Sequence, residues 1–233
     1  MTYIDSFKRT HDIGAVLAIF DELKNGKSKI SIAGRIMAKR IMGKVVFFDI
    51  QDGSGRMQCF CSKNGLSEEG FISLKKNSKI GDIIGVGGFV FVTQKNEKTV
   101  NMEHFQILSS SLRDLPDKFH GLNDLEICYR KRYLDLIMNG GTRDVFKKRF
   151  KIIADIREFL TKDGFIEVET PIFQNNPCGA SANPFKTHHD AMNLDMYLRI
   201  SPETFLKQLI VGGMEKIFEI GKNFRNEGID SSH

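Results

Sequence analysis

The sequence predicts an N-terminal all-β barrel followed by an α+β region, and two observations carry that expectation. Between Ile30 and Leu108 the apolar residues recur with period 2, interrupted once by a polar, helix-compatible stretch. Beyond Asn123 the pattern becomes long 3.6-period stretches alternating with short apolar runs.

The first element is an amphipathic helix from Asp12 to about Lys24. Ile13, Val16, Leu17, Phe20 and Leu23 recur at i, i+3, i+4 spacing, and Asn25-Gly26 stops it. Ile30, Ile32 and Ile36 then alternate with polar neighbours in a first strand. Val45 to Gln51 gives a second, Asp52-Gly53-Ser54-Gly55 a hairpin turn, and Arg56 to Ser62 the returning third. A helix is expected within Ser67–Ser78. Strands follow over Asp82–Val92 and Lys98–Leu108, joined by the polar turn Gln94-Lys95-Asn96-Glu97. Glycines at 85, 87 and 88 weaken a straight strand and predict a strongly bent one. Three strands, a helix and two strands is the order of the OB-fold, a five-stranded Greek-key barrel that binds oligonucleotides. A barrel of the same order with no ligand is the alternative on this pattern.

Residues 111–127, with Pro116 and Gly121 and no clear period, are expected to link the barrel domain (1–110) to a second domain (128–233). In the second region Leu125–Ile137 and Thr142–Lys162 have helical periodicity. The latter is expected to bury Val145, Phe146, Ile153, Ile156 and Leu160 and to stop at Gly164. Strands are expected at Phe165–Glu169, Tyr197–Ser201 and Lys216–Ile220, with a helix at Glu203–Val211.

A hydrophobic fraction of 41% and a charged fraction of 27% are those of a soluble globular chain. No apolar run reaches bilayer length and the first residues lack a signal-peptide pattern, so a cytoplasmic location without membrane association is expected. The net charge of +5 permits an anionic partner without requiring one. Cys59 and Cys61 alternate along a strand and face the same side. With no Cys-x-x-Cys pair they are expected to be ordinary reduced thiols, and no metal ligand set is assigned.

Three segments carry chemistry. Phe218-Glu219-Ile220-Gly221-Lys222-Asn223-Phe224-Arg225-Asn226-Glu227-Gly228 resembles motif 2 of the class II aminoacyl-tRNA synthetases. Gly164-Phe165-Ile166-Glu167-Val168-Glu169-Thr170-Pro171 resembles their motif 1, and Tyr197-Leu198-Arg199-Ile200-Ser201-Pro202-Glu203 fits between them. Further runs are similar to the lysyl enzymes in particular: Gly43-Lys44 with Phe47, Leu115-Pro116-Asp117-Lys118-Phe119-His120-Gly121, Tyr129 to Leu136, and Gly179-Ala180-Ser181-Ala182-Asn183-Pro184-Phe185 with Thr187-His188-His189.

This resemblance to class II lysyl-tRNA synthetases implies ATP-dependent attachment of lysine to tRNA through a lysyl-adenylate. It also implies an antiparallel catalytic sheet that is incomplete here, because the chain would end within motif 2. Adenylate formation drives a carboxylate against the α-phosphate, so a guanidinium forking onto both offsets their repulsion. The resemblance gives that catalytic role to Arg225, which would bind both ATP and lysine. Glu227 and His233 would bind ATP, and Gly179 and Glu203 the lysine α-amino group. From the residues alone, an Arg225–Glu227 ion pair and a helix-dipole role for Glu203 stay open.

In the barrel the resemblance assigns anticodon contacts to Arg40, Phe47 and Gln58, with His104 at a position the family fills with Glu. Phe47 as plain core is the competing reading, and Lys39, Arg40 and Lys44 on one hairpin suit a phosphate backbone. The family further implies Mg2+ on the ATP phosphates, with protein ligands beyond His233, and a homodimer through motif 1. On the same grounds residues 1–233 alone are expected to form no adenylate. Two departures stand out: Cys178 and Asn183 replace a Gly and an Arg of the family's Gly-Gly-Ala-x-Ala-Arg-Pro-Phe loop. A non-catalytic tRNA-binding or regulatory paralogue is the alternative function. His188 and His189, adjacent on an extended segment, point in opposite directions, which predicts loop hydrogen bonds rather than a metal pair.

Overall fold

In the computed structural model, residues 4, 6–116 and 122–229 are described. His233 and the run Asp117–Gly121 lie outside them. The chain divides into two compact units, Met1–Met138 and Asn139–His233.

The first unit is built on a closed barrel of β1 (Lys29–Met42), β2 (Val45–Gln51), β3 (Arg56–Ser62), β4 (Ile83–Val92) and β5 (Lys98–Ser109), in the order β1-β2-β3-β5-β4. The long first strand closes it. Its first half, Lys29 to Arg35, pairs with β4, and its second half, Arg35 to Met42, pairs with β2. A register shift between Ile36 and Ala38 bends the strand where it changes partner. The glycines of β4 act as expected. The register against β5 shifts between Gly87 and Gly88, and a Cβ on Gly88 would overlap the Asn101 carbonyl.

Alternation decides the core. Val46, Phe48 and Ile50 point inward from β2, joined by Ile30, Ile32, Ile36, Met57, Ile84, Val86, Val100 and Met102. The helix α3 (Glu68–Asn77), capped by Ser67, adds Phe71 and Leu74. Cys59 and Cys61 are also inside; burial pushes the Cys61 thiol up to about 11 and Cys59 further, with Asp49 adding to it. They are protonated core residues, as their alternation predicts.

The single helix expected over Asp12–Lys24 is instead α1 (Ile13–Ala18) and α2 (Phe20–Asn25), kinked at Ile19 (φ −106°, ψ 25°). The bonds from Ile19 N–H to the Ala15 carbonyl and from Leu23 N–H to the Ile19 carbonyl persist across the kink. The bend keeps Ile13, Val16, Phe20 and Leu23 all in the barrel core. Asp52 ties α1 to the β2–β3 turn: its carboxylate accepts from Ile13 N–H at 2.9 Å, Ser54 N–H at 2.7 Å, Ser54 O–H at 2.6 Å and Gly55 N–H at 2.9 Å. Burial by itself would raise the Asp52 pKa; these bonds outweigh it and hold the carboxyl below the ordinary carboxylate range. A folded-state pKa below the unfolded one gives stability that is present above about pH 4 and lost as pH falls through the folded value. Asp52→Asn is therefore expected to lower the thermal midpoint at neutral pH and to flatten its acid-side decline, measured by melts of both proteins across that range.

The remainder of this unit is α4 (Leu125–Arg130), capped by Asp124, and α5 (Arg132–Met138), so the expected helix over Leu125–Ile137 is broken at Lys131.

The second unit contains α6 (Gly140–Lys162), β6 (Ile166–Glu167), β7 (Phe173–Gln174), β8 (Lys186–His189), β9 (Leu194–Leu198), α7 (Glu203–Val211) and β10 (Ile217–Phe218). β7, β9 and β8 form an antiparallel sheet of the expected kind, but β7 and β8 fall where no strand was expected, and the strand expected over Tyr197–Ser201 lies earlier, as β9. β6 and β10 pair in parallel, which the expectation of an all-antiparallel sheet did not include. Both strands leave a helix through the same turn, a left-handed glycine at Gly164 (φ 84°) or Gly213 (φ 98°). In each turn the two N–H groups after the helix bond back to its last carbonyls: Gly164 to Thr161 and Phe165 to Leu160, Gly213 to Ile210 and Met214 to Leu209. The two turns are alike, and the parallel pairing itself comes from the meeting of two segments about fifty residues apart.

The burial expected for α6 is not found. No residue of the helix is buried; Val145 and Ile156 are exposed, and only Phe146, Ile153 and Leu160 of the five are half-buried. Those three are seven residues apart and form a stripe too narrow to cover Phe150, Ile152 and Phe159, which are also exposed. Periodicity identified an apolar face, and the described residues of this chain do not cover it.

Candidate nucleic-acid interface and candidate active site

Three of the four expected anticodon residues meet on the outer face of the barrel. Arg40 on β1 lies opposite Phe47 on β2, and its guanidinium stands 6.0 Å from the Phe47 ring centroid. Arg40 Nη2 approaches Gln58 Oε1 at 3.5 Å and Asp49 at 3.9 Å. Phe47 is half-exposed, with Phe48 beside it in the core, so strand parity removes the plain-core reading. The Phe47 ring sits 5.2 Å from Phe60, which is 5.8 Å from Phe91.

His104 is not part of this group. It is exposed on β5 against Gly87, three residues beyond Asn101, where the β3–β5 pairing ends. Its neighbour Glu103 pairs with Lys29 at 2.8 Å. The carboxylate beside Gln58 is Glu97, which accepts a hydrogen bond from the Gln58 amide. The topology puts it there: β5 runs parallel to β3 with Thr99 level with Gln58, so the residue entering β5 lies next to Gln58. Glu97 had been read only as part of a polar turn. The missing signal was the closing β3–β5 pair of the OB order, which brings the start of the fifth strand against the third.

The basic cluster of the hairpin is also smaller than expected. Lys39 turns away from Arg40 and donates to the Lys75 and Ser78 carbonyls at the C-terminal end of α3. Burial lowers its pKa, opposed by Asp82. Arg40 and Lys44 remain on the exposed side.

In the second unit the loop from Gly179 to Asn183 touches two of the expected elements. Gly179 adopts φ 88°, and a Cβ there would meet Ser201 Cβ at 3.1 Å and Glu203 Cβ at 3.4 Å. Glu203 opens α7 and is ion-paired with Lys207 at 2.6 Å. At the loop's other end the Asn183 carbonyl accepts from Asn226 N–H at 2.8 Å. This bond is made by the backbone, so the replacement of the family's Arg by Asn183 leaves it available.

Arg225 lies between two tethers, since Phe224 N–H donates to the Arg199 carbonyl at 2.9 Å and Asn226 is held by Asn183. Its side chain and that of Glu227 are exposed, and among the described residues neither makes a hydrogen bond or ion pair. The Arg225–Glu227 pair left open by the sequence does not form. A fixed backbone carrying an unengaged guanidinium is suited to an external anion. His188 Nδ1 donates to the Asp195 carboxylate at 2.8 Å and His189 Nδ1 accepts from Met192 N–H, so both histidines serve the loop. Among the described residues no group of three His, Cys, Asp or Glu side chains could hold a metal ion. Among the described residues no helix is long and apolar enough to cross a membrane.

Comparison with known proteins finds a match for each of the two regions. Residues 30–108 match the OB-fold nucleic acid binding domain, and residues 124–233 match the class II tRNA synthetases of the D, K and N type. The chain is 52% identical over 231 residues to a lysine–tRNA ligase of Pelotomaculum thermopropionicum, an alignment covering 99% of this chain and 45% of that protein. It is 48% identical to the heat-inducible lysine–tRNA ligase of Escherichia coli, over 100% of this chain and 47% of the relative. It is 50% identical to the lysine–tRNA ligase of Carboxydothermus hydrogenoformans, over 99% and 47%. The chain spans about half the length of the curated relatives it matches.

Proposed function

We propose that the chain belongs to the class II tRNA synthetase family and serves the ATP-dependent attachment of lysine to tRNA. The observation that carries this is the single loop, Gly179–Asn183, that contacts the start of α7 at one end and the Arg225 segment at the other. Glu203 already holds an ammonium group, that of Lys207, and the α-ammonium of lysine would take that place. The Gly179 backbone can approach because no Cβ intervenes. Arg225 would fork between the lysine carboxylate and the α-phosphate, and Glu227 would accept from the adenine amino group. A carboxylate oxygen of lysine then bonds to the α-phosphorus as the bond to the β-phosphate oxygen breaks and pyrophosphate leaves. A hydroxyl of the tRNA end next takes the acyl carbon and releases AMP. Magnesium would travel on the ATP phosphates; the described residues form no site for it, and none of these steps is assigned to it.

On the barrel, Phe47 would stack on a base while Arg40, Gln58 and Glu97 read its edge. The exposed apolar face of α6 supports a second copy of the chain as its cover, giving a homodimer in the cytoplasm. The test pairs two measurements on the full-length protein. Binding of tRNA is expected to weaken steeply as salt rises, because phosphate contacts release counterions. Pyrophosphate exchange is expected to depend on lysine rather than aspartate or asparagine. Salt-dependent binding without exchange would instead indicate a non-catalytic tRNA-binding relative.

A further inference from the structure

The buried side chain of Arg199 donates four hydrogen bonds, and nothing in the adenylation scheme uses it. Its guanidinium is 4% exposed, a position that an arginine takes only when its charge is matched. Nη1 donates to the Thr170 carbonyl at 3.2 Å, the Thr170 hydroxyl at 2.9 Å and the Glu219 carboxylate; Nε donates to the Lys222 carbonyl at 3.0 Å. Glu219 also accepts from the Thr170 hydroxyl at 2.7 Å. One buried cation thus joins the chain after β6 to two points on the chain after β10. Gly221 lies directly against it, where a Cβ would collide with Nη2. The backbone carbonyl of the same Arg199 accepts from Phe224 N–H.

These contacts fall on residues 219, 222 and 224, and the next residue is Arg225. Beyond them the run has one further backbone tether to another segment, Asn226 to Asn183. Among the described residues the side chain of Arg225 makes no hydrogen bond or ion pair that could aim it, so its direction comes from its backbone. We propose that Arg199 is the positioning residue for Arg225: its buried guanidinium, seated on Gly221 and paired with Glu219, fixes the segment that presents Arg225 to the reacting anions. This rests on Arg225 being the adenylation group. A displacement of about 1 Å at such a group costs on the order of a hundredfold in rate. A lysine at position 199 keeps the charge but offers a point rather than a planar fork, and cannot span Thr170, Glu219 and Lys222 together.

The experiment is a double-mutant cycle in the full-length protein, read by lysine-dependent pyrophosphate exchange and by amide hydrogen exchange at Phe224. Arg199→Lys alone is expected to lower kcat at least about tenfold and to speed exchange of the Phe224 amide at least about tenfold. In the Arg225→Ala background it is expected to change the remaining rate by less than about twofold, because nothing is left to position. A role confined to general stability would lower the rate by the same factor in both backgrounds, and that multiplication would overturn the proposal. Gly221→Ala repeats the test with every charge in place, and decides it if Arg199→Lys does not fold. An Arg225→Ala protein that retains full exchange would overturn the assignment of Arg225 first, and this proposal with it.

Discussion

Replacing Arg225 by Ala in the full-length protein is expected to cut lysine-dependent pyrophosphate exchange by about a hundredfold or more, which corresponds to roughly 2.7 kcal/mol of lost transition-state stabilisation. The structure separates this loss from any loss of folding. The Arg225 side chain is exposed and joins no hydrogen bond or ion pair among the described residues, so its removal opens no cavity and strands no partner. The backbone tethers at Phe224 and Asn226 do not involve the side chain and persist. The thermal midpoint should therefore stay close to that of the unchanged protein while the rate falls. In the proposed role the loss would arise from the chemistry: the group would act where two anions are brought together, where a preorganised charge requires no reorganisation at the moment of reaction. Exchange within a few-fold of the unchanged protein, at equal stability, would leave Arg225 without a catalytic role.

The barrel was legible in the sequence because its information is local. Alternation at Ile30, Ile32 and Ile36 and at Val46, Phe48 and Ile50 assigns each side chain a face, and the glycines of the fourth strand mark the bend. Gly164 likewise ends α6 where its spacing requires. Features that need a partner segment were hidden. Glu97 lies thirty-nine residues from Gln58 and meets it only because β5 runs parallel to β3. The parallel pairing of β6 with β10 involves two residues on each side, too few for any periodicity to announce. Periodicity in α6 gave a correct apolar face and an incorrect burial, since a pattern says which side is apolar and not what lies against it. For the candidate active site, the family resemblance named Gly179, Glu203 and Arg225. Thr170, Arg199 and Glu219 each stand within one of the quoted motif runs, but their joining in one buried cluster across forty-nine residues was not legible there.

Phe47 and Phe48 are adjacent, and the barrel predicts opposite outcomes for them. Phe48 is 1% exposed and packed in the core with Val46 and Ile50, so Phe48→Ala is expected to cost about 3–5 kcal/mol of stability. That is a large share of the roughly 5–15 kcal/mol a domain has in total, and tRNA binding should fail with the fold. Phe47 faces outward, 5.2 Å from Phe60 and beneath Arg40, and carries little of the core. Phe47→Ala is expected to weaken tRNA binding by about 1–3 kcal/mol through the lost stacking of one base, with a smaller effect on the melting temperature. Lysine-dependent exchange should be unchanged in the Phe47 variant, because none of the residues proposed for adenylation lies in the barrel unit. Melting curves, tRNA titrations and exchange assays on the two variants decide the matter together. Equal losses of stability at both positions, with normal tRNA binding by the folded Phe47 variant, would mean that the outer aromatic face packs the barrel and does not receive a base.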